Sequence, residues 1–459
     1  MKKFLVGLAI IVVAIALLPI IGNSVADGVL KDRVSVLTSN GLELKNATTD
    51  ISYLNTKKHY EFLLSDAPKF VEYLNQYSDA QVPPYVDALL EGVVVGVDIE
   101  HSNFPLSSKI LVDIYPLSLS TQMSQELKEE DIKFYEYLEN FLQSKGLLYH
   151  INYYISDELF DGYVKNIDEE YLFDNGSKLS AKLSNATYYG SGSLVAPKSL
   201  QTNITNIFLE AKENQQSAVF EMQDIASSFK FDSFSSYVSD ASMRSMNISI
   251  KEELSSKIEV TLDDFKIELS SNTQGKKAEF KMKNSLESFK LDSSDINLQA
   301  KGFNYNVSLD DVDKDSYEEF LELSSQTNVA SSPDFEKKVQ DVVIKLLSKG
   351  LSLRVADISI DKIVYDKKSS IDGFSFIARM TLNEDASLAQ NIKSSPKNVA
   401  NNINLASTLT LSKEFYALIN KNVPLTNIAS TLAKEKDNKL IFELKLNAGV
   451  LSINDKMMN

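Results

Sequence analysis

Three histidines, His59, His101 and His150, and no cysteine are what 459 residues offer for metal binding or base catalysis beyond carboxylates. His101 follows Asp98 and Glu100, but along a strand alternate side chains take opposite faces, so the two carboxylates share a face that His101 does not. That spacing suits a shared ion poorly. His59 and His150 have no second His or Cys near them, and no H-x-x-x-H pair occurs. The histidines therefore predict structural roles, because a lone imidazole lacks the converging partners of a site.

Asp311, Asp313, Asp315 and Glu322 follow the acidic spacing of a calcium-binding EF-hand loop. The sixth position, which needs positive φ and is normally Gly, is Ser316, and the apolar eighth position is Glu318. The residues equally predict a capped helix over Tyr317–Leu323, with Asp313, Asp315 and Ser316 at its positive N-terminus. The capped helix is the expectation, without calcium. G-x-S-x-G, Walker A, G-x-G-x-x-G and H-E-x-x-H are all missing. Tyr149, Tyr153, Tyr154, Tyr163, Tyr188 and Tyr189 could stack sugars, yet strands are rich in aromatics anyway. No catalytic, cofactor-binding or metal-ligating residue is assigned, and the chain reads as a non-enzyme.

The elements that would position any site begin with an apolar run, Phe4–Gly22, preceded by Lys2 and Lys3. At ~1.5 Å per residue it reaches roughly 28 Å, close to a hydrocarbon core of about 30 Å. The lysines hold its start on the cytoplasmic side, so the rest of the chain lies across the membrane. Ser24-Val25-Ala26 offers a signal-peptidase site, but the run is longer than the ~7–15 residues of a signal peptide, which favours a retained anchor. Leu30, Val34 and Leu37 fall at helical spacing and extend the anchor as a stalk.

Hydrophobic residues make up 43% and charged residues 24%, the balance of a folded globular chain. A formal charge of −16 repels phosphate backbones and argues against nucleic-acid binding. Strands are expected in Leu42–Leu64, a helix after Asp66-Ala67-Pro68, another from Pro83 to Leu90, and paired strands at Val93–Asp98 and Lys109–Tyr115. One long helix is expected over Thr121–Lys145, with Leu127, Phe134, Leu138, Phe141 and Leu142 as its stripe.

Past Leu147 the chain turns to β. Ile258, Val260 and Leu262 share one parity and Phe265, Ile267 and Leu269 the other, with the slip at Asp263-Asp264. A bulge or turn there would keep the apolar set on one face. Related patterns at Phe220 and Phe280 suggest a repeat of about 20 residues, two strands per unit, in an antiparallel meander. Helices follow at Pro333–Ser348, Leu388–Val399, Lys413–Ile419 and Thr426–Lys434. Strands are expected at Leu351–Tyr365, Phe374–Leu382 and Ile403–Leu411, with a closing hairpin of Lys439–Leu446 and Val450–Asn454.

The anchor, the strand and loop His101–Leu106, the passage Val312–Phe320, and Leu351–Leu382 with the hairpin together resemble the YdgA-like family of bacterial membrane-anchored proteins. His101, Phe104 and Pro105 match its H-G-P-F-P loop, while Ser102 and Asn103 replace Gly and Pro. The resemblance implies an inner-membrane anchor, a periplasmic β-rich domain and no established activity; the slipped strands are also distantly similar to AsmA-like envelope proteins, by analogy lipid-handling. The expected fold is α+β: an N-terminal transmembrane helix (1–22), a helical stalk (23–40) and an exported domain (41–459) built on a large, curved, mainly antiparallel β-sheet with packed helices. The expected function is a single-pass inner-membrane envelope protein, its bulk periplasmic, sheltering lipid or another apolar ligand along its sheet. The alternative is a non-catalytic scaffold acting through protein contacts, as a homodimer or larger homo-oligomer.

Overall fold

A computed structural model describes residues 30–75, 89–103, 109–192, 197–233, 235–252, 257–324, 333–366, 370–394, 396–422 and 432–458. The anchor over 1–22 and most of the helix expected from Pro83 lie outside the described residues. Among those described, no helix is long and apolar enough to cross a membrane. The chain divides into two units, residues 1–228 with 247–256, and residues 229–246 with 257–459.

The first unit opens with helix α1 (Leu30–Ser39), within the expected stalk, which sinks Leu37 into the core. Strands β1 (Leu42–Ile51) and β2 (Asn55–Leu64) form a hairpin, and α2 (Ala67–Asn75) precedes β3 (Val94–Ser102) and β4 (Lys109–Pro116). Helices α3 (Thr121–Glu130) and α4 (Ile132–Gln143) then lead to β5 (Tyr149–Tyr154), β6 (Leu159–Val164), β7 (Ile167–Leu172), β8 (Lys178–Ser184), β9 (Ala186–Gly192) and β10 (Pro197–Glu213). Each strand from β1 to β6 pairs antiparallel with the next. β10 runs beside β9 and then β8, with Asn185 in the left-handed region where those two meet. One sheet face is apolar: Val97, Ile99, Val112, Ile114 and Ile151 are buried in a core that also takes Phe134 and Leu142 of α4.

The expected single helix Thr121–Lys145 is two helices. Asp131 adopts an extended conformation between them, its N–H donating to Leu127 O at 2.8 Å and its Oδ1 accepting from Lys133 N and Phe134 N at 3.1 and 3.0 Å. One residue thus closes α3 and caps α4, as Asp readily does. The apolar stripe survives the break, because both helices lie over the same core.

Strands β11 (Gln216–Ser233) and β12 (Ser236–Lys251) contribute residues to both units. The second unit continues with β13 (Lys257–Gln274), β14 (Lys277–Ser293), β15 (Asn297–Asp313), helices α5 (Lys314–Ser324) and α6 (Pro333–Ser348), β16 (Leu351–Tyr365), β17 (Ile371–Leu382), α7 (Leu388–Ser394), α8 (Pro396–Asn401), β18 (Ile403–Ser412) and α9 (Lys413–Asn422). It ends in short β19 (Lys434–Lys436), then β20 (Lys439–Asn447), β21 (Val450–Ile453) and β22 (Lys456–Met458). Every pairing from β13 through β18 to β20 is antiparallel, a mainly antiparallel sheet with helices. The helix expected over Thr426–Lys434 falls largely outside the described residues, and Lys434 begins a strand.

The repeat of about 20 residues is real but is one strand per unit, since β13, β14 and β15 begin at Lys257, Lys277 and Asn297. The slip is not a turn between two strands. Asp264 takes φ +49° and drops out of the ladder, whose partners run from Asp263↔Ser288 to Phe265↔Leu286. A single left-handed residue shifts the phase of a strand without ending it.

Candidate functional site

The strand phases of the second unit keep apolar residues on one face. Phe265, Leu286, Phe303, Ile360, Phe374 and Leu411 lie in one cross-strand row, with Ile360 paired to Phe374 and Phe374 to Leu411. The slips line up beside it: Asp264, Glu287, Gly302, Asp361 and Gly373 all fall between matching partners. Gly302 has φ +67°, and a Cβ there would come within 2.2 Å of Asp361 Oδ2, so both conformation and space call for glycine.

Helices cover this face at two places: α9 over β17 and β18, where Phe415 stacks on Phe374 with ring centres 5.6 Å apart, and α5 and α6 at the other end. Buried there are Ala278, Val312, Tyr317, Leu351 and Leu382, with Leu321 of α5 and Leu346 and Leu347 of α6 packed against them. Farther along, Ile267, Leu286, Phe303, Ile358 and Phe376 are only half-buried. Asn284 shares this face between Met282 and Leu286, and its Oδ1 is shielded from solvent without a hydrogen-bond partner among the described residues.

The first unit turns a polar face outward. Its register sets His59 opposite Asp98, Asp98 opposite Asp113, Asp113 opposite His150 and His150 opposite Tyr163. His59 Nδ1 lies 2.6 Å from Asp98 Oδ1 and its Nε2 3.1 Å from Glu61 Oε1. Tyr115 Oη donates to Asp98 Oδ2 at 3.0 Å, and Lys145 Nζ donates to the same oxygen while sitting 4.2 Å from the Tyr115 ring centre. Gly96 makes this possible, since a Cβ would stand 2.5 Å from the Tyr115 ring. His150 Nδ1 lies 2.7 Å from Asp113 Oδ1 and its Nε2 3.2 Å from Asn152 Oδ1.

Burial alone would lower the pKa of His59, but the hydrogen bonds and charges of Asp98 and Glu61 outweigh it and raise the imidazole above its ordinary value. Burial likewise pushes Asp98 upward, and Lys145, His59 and Tyr115 overcome that to hold it low. Burial and the charge of Asp98 push the Tyr115 hydroxyl well above its usual range. Both ring nitrogens of His59 face carboxylate oxygens, which favours the doubly protonated imidazolium, a form with no lone pair to offer a metal or a proton.

Compared with family models, curated proteins and solved structures, this chain matches none.

His101 lies on the other face from Asp98, as its parity predicts, with Nδ1 3.3 Å from Ser102 O. Sequence reasoning missed Asp98 beside His59 and Asp113 beside His150 because each comes from a neighbouring strand, and it missed Glu61, two residues from His59 on the same strand face. Asp311 and Asp313 end strand β15 rather than opening a loop, and Asp313 Oδ1 accepts from Ser316 N at 3.1 Å and Ser316 Oγ at 2.6 Å. This is the capped helix expected from the sequence, and the Ser316 donors hold the Asp313 carboxyl low. Among the described residues no three His, Asp or Glu converge on an ion-sized space. The tyrosines divide by face: Tyr149 and Tyr153 are core residues, while Tyr163 and Tyr189 are exposed.

Proposed function

We propose that the second unit shelters the acyl portion of a lipid along its apolar sheet face, in a protein held at the inner membrane by residues 4–22 with its bulk in the periplasm. One observation carries this reading: between the places that the helices cover, the apolar face keeps large aliphatic and aromatic side chains only half-buried. Soluble surfaces avoid contiguous apolar patches of that kind unless they bind something. The aligned slips add to it. They keep the apolar residues of neighbouring strands on one face across each break.

The test uses the full chain in cells. A photo-crosslinking residue at Phe376, on the apolar face, should capture lipid, and one at its neighbour Ser375, on the other face, should not. No adduct at either position, or equal adducts at both, would overturn the reading.

A second reading, a scaffold, is favoured by one separate feature. The β1–β2 turn displays Ile51, Tyr53 and Leu54 at 73%, 91% and 50% exposure. Asn103 braces the turn, its Nδ2 donating to Ser52 O at 2.7 Å and its N–H to Leu54 O at 2.8 Å. An apolar tip held in one conformation suits protein contact. Under this reading Ile51→Ser with Tyr53→Ser changes the assembly size of the solubilised chain without lowering its unfolding midpoint; an unchanged size would dispose of it.

A further inference from the structure

The chain has four arginines in a strongly acidic sequence, and two of them, Arg354 on β16 and Arg379 on β17, are direct cross-strand partners. Both alternate with apolar-face residues, Leu353 and Val355 for one and Ala378 and Met380 for the other, so they project from the opposite face of the sheet. Along the same row Arg379 faces Ala406, and Ala406 faces Lys445. The small alanine leaves a gap between two cations. An open hollow of about 470 Å³ lies here, lined by Arg354, Arg379, Ala406, Thr408 and Lys445.

Like charges set directly opposite each other across a sheet are destabilising. Elsewhere in this unit cations sit beside carboxylates: Lys283 on Glu268 at 3.0 Å, Lys345 on Glu319 at 2.5 Å, Lys434 on Glu443 at 3.0 Å. Lys445 itself is 3.3 Å from Asp455, and Glu443 at the rim is bonded to Lys434. Among the described residues neither guanidinium has a carboxylate within ion-pair distance. Two guanidinium forks that lack an anion, side by side, with a hydroxyl and an ammonium across a gap, have the donor set for a tetrahedral oxyanion.

We propose that this row is an anion-binding site for a phosphate-type group, with Arg354 and Arg379 as its paired forks and Lys445 and Thr408 closing the far side. The site lies on the other face of the sheet from the apolar rows, so it is independent of the lipid reading and does not serve the headgroup of a chain lying there.

The experiment measures the unfolding midpoint of the detergent-solubilised full chain in chloride, then with inorganic phosphate at matched ionic strength, for the native protein and for Arg379→Gln. Phosphate should raise the native midpoint and leave the variant unmoved. In chloride alone the variant should be at least as stable as the native chain, because the repulsion has been relieved; a merely structural arginine would give a less stable variant. Lys266→Gln, outside the row, should respond like the native protein. A second arm asks for the source of the group. Vesicles of phosphatidylcholine with phosphatidic acid that retain the native chain better than phosphatidylcholine alone, with the gain lost in Arg379→Gln, identify a lipid headgroup; a response to inorganic phosphate without that gain identifies a soluble ligand. The proposal fails if neither probe distinguishes the native chain from Arg379→Gln, or if the variant is destabilised in chloride.

Discussion

His59 shows how far a side chain's neighbours outweigh its own identity. Asp98 and Glu61 raise its pKa, so its contribution to stability is fully present below the ordinary imidazole value of 6.5 and is lost as pH rises through the higher folded value. Urea midpoints of the native chain should therefore fall on going upward from about pH 6.5, and His59→Gln should flatten that decline. Asp98 has the opposite sign: its folded value is depressed, so its contribution is lost as pH falls below the ordinary 3.8. Asn284 is a second residue-scale case. A shielded carbonyl oxygen without a donor costs about 1–3 kcal/mol, so Asn284→Leu should raise the unfolding free energy by about 1 kcal/mol. A loss of stability in that variant would mean that the amide has a partner in solution.

Single aspartates decide where elements break and where they only bend. Asp131 caps α4 through two backbone donors, and Asp131→Ala should cost about 1 kcal/mol in chemical denaturation, as N-cap deletions do. Asp264 is used differently, holding a left-handed conformation inside β13. Asn or Gly visits that region readily, whereas a β-branched residue does not. Asp264→Asn should be nearly neutral and Asp264→Val should cost about 1–2 kcal/mol. Equal effects from both would show that the strand phase does not depend on this backbone position.

At the scale of the molecule, the two units distribute their apolar burial differently. Ile114 of the first unit is 0% exposed in a continuous core, whereas Ile267 of the second lies half-buried on the sheet face. Ile114→Ala should cost about 2–5 kcal/mol, the usual range for a filled site, and Ile267→Ala distinctly less. Comparable losses, measured by urea unfolding, would mean that the sheet face of the second unit is ordinary core. A positive result leaves that face accessible, which the lipid reading requires.

Alternation and capping residues made much of the architecture legible in the sequence. The apolar parities of Leu262 and Phe265, the aspartates between them, the helix start at Asp313 and the opposite faces of Asp98 and His101 are all local properties of a chain with a period of two or 3.6 residues. What local pattern could not supply was which strand lies beside which. A slip reads the same whether it ends a strand or bends it, so the repeat took one strand, not two, only once pairing was known. The break at Asp131 was hidden because both helices present their stripe to one core. Asp98 against His59, the arginine pair and the extent of helix cover all arise between residues distant in sequence. They depend on register, which long-range pairing decides, and only the tertiary structure holds that information.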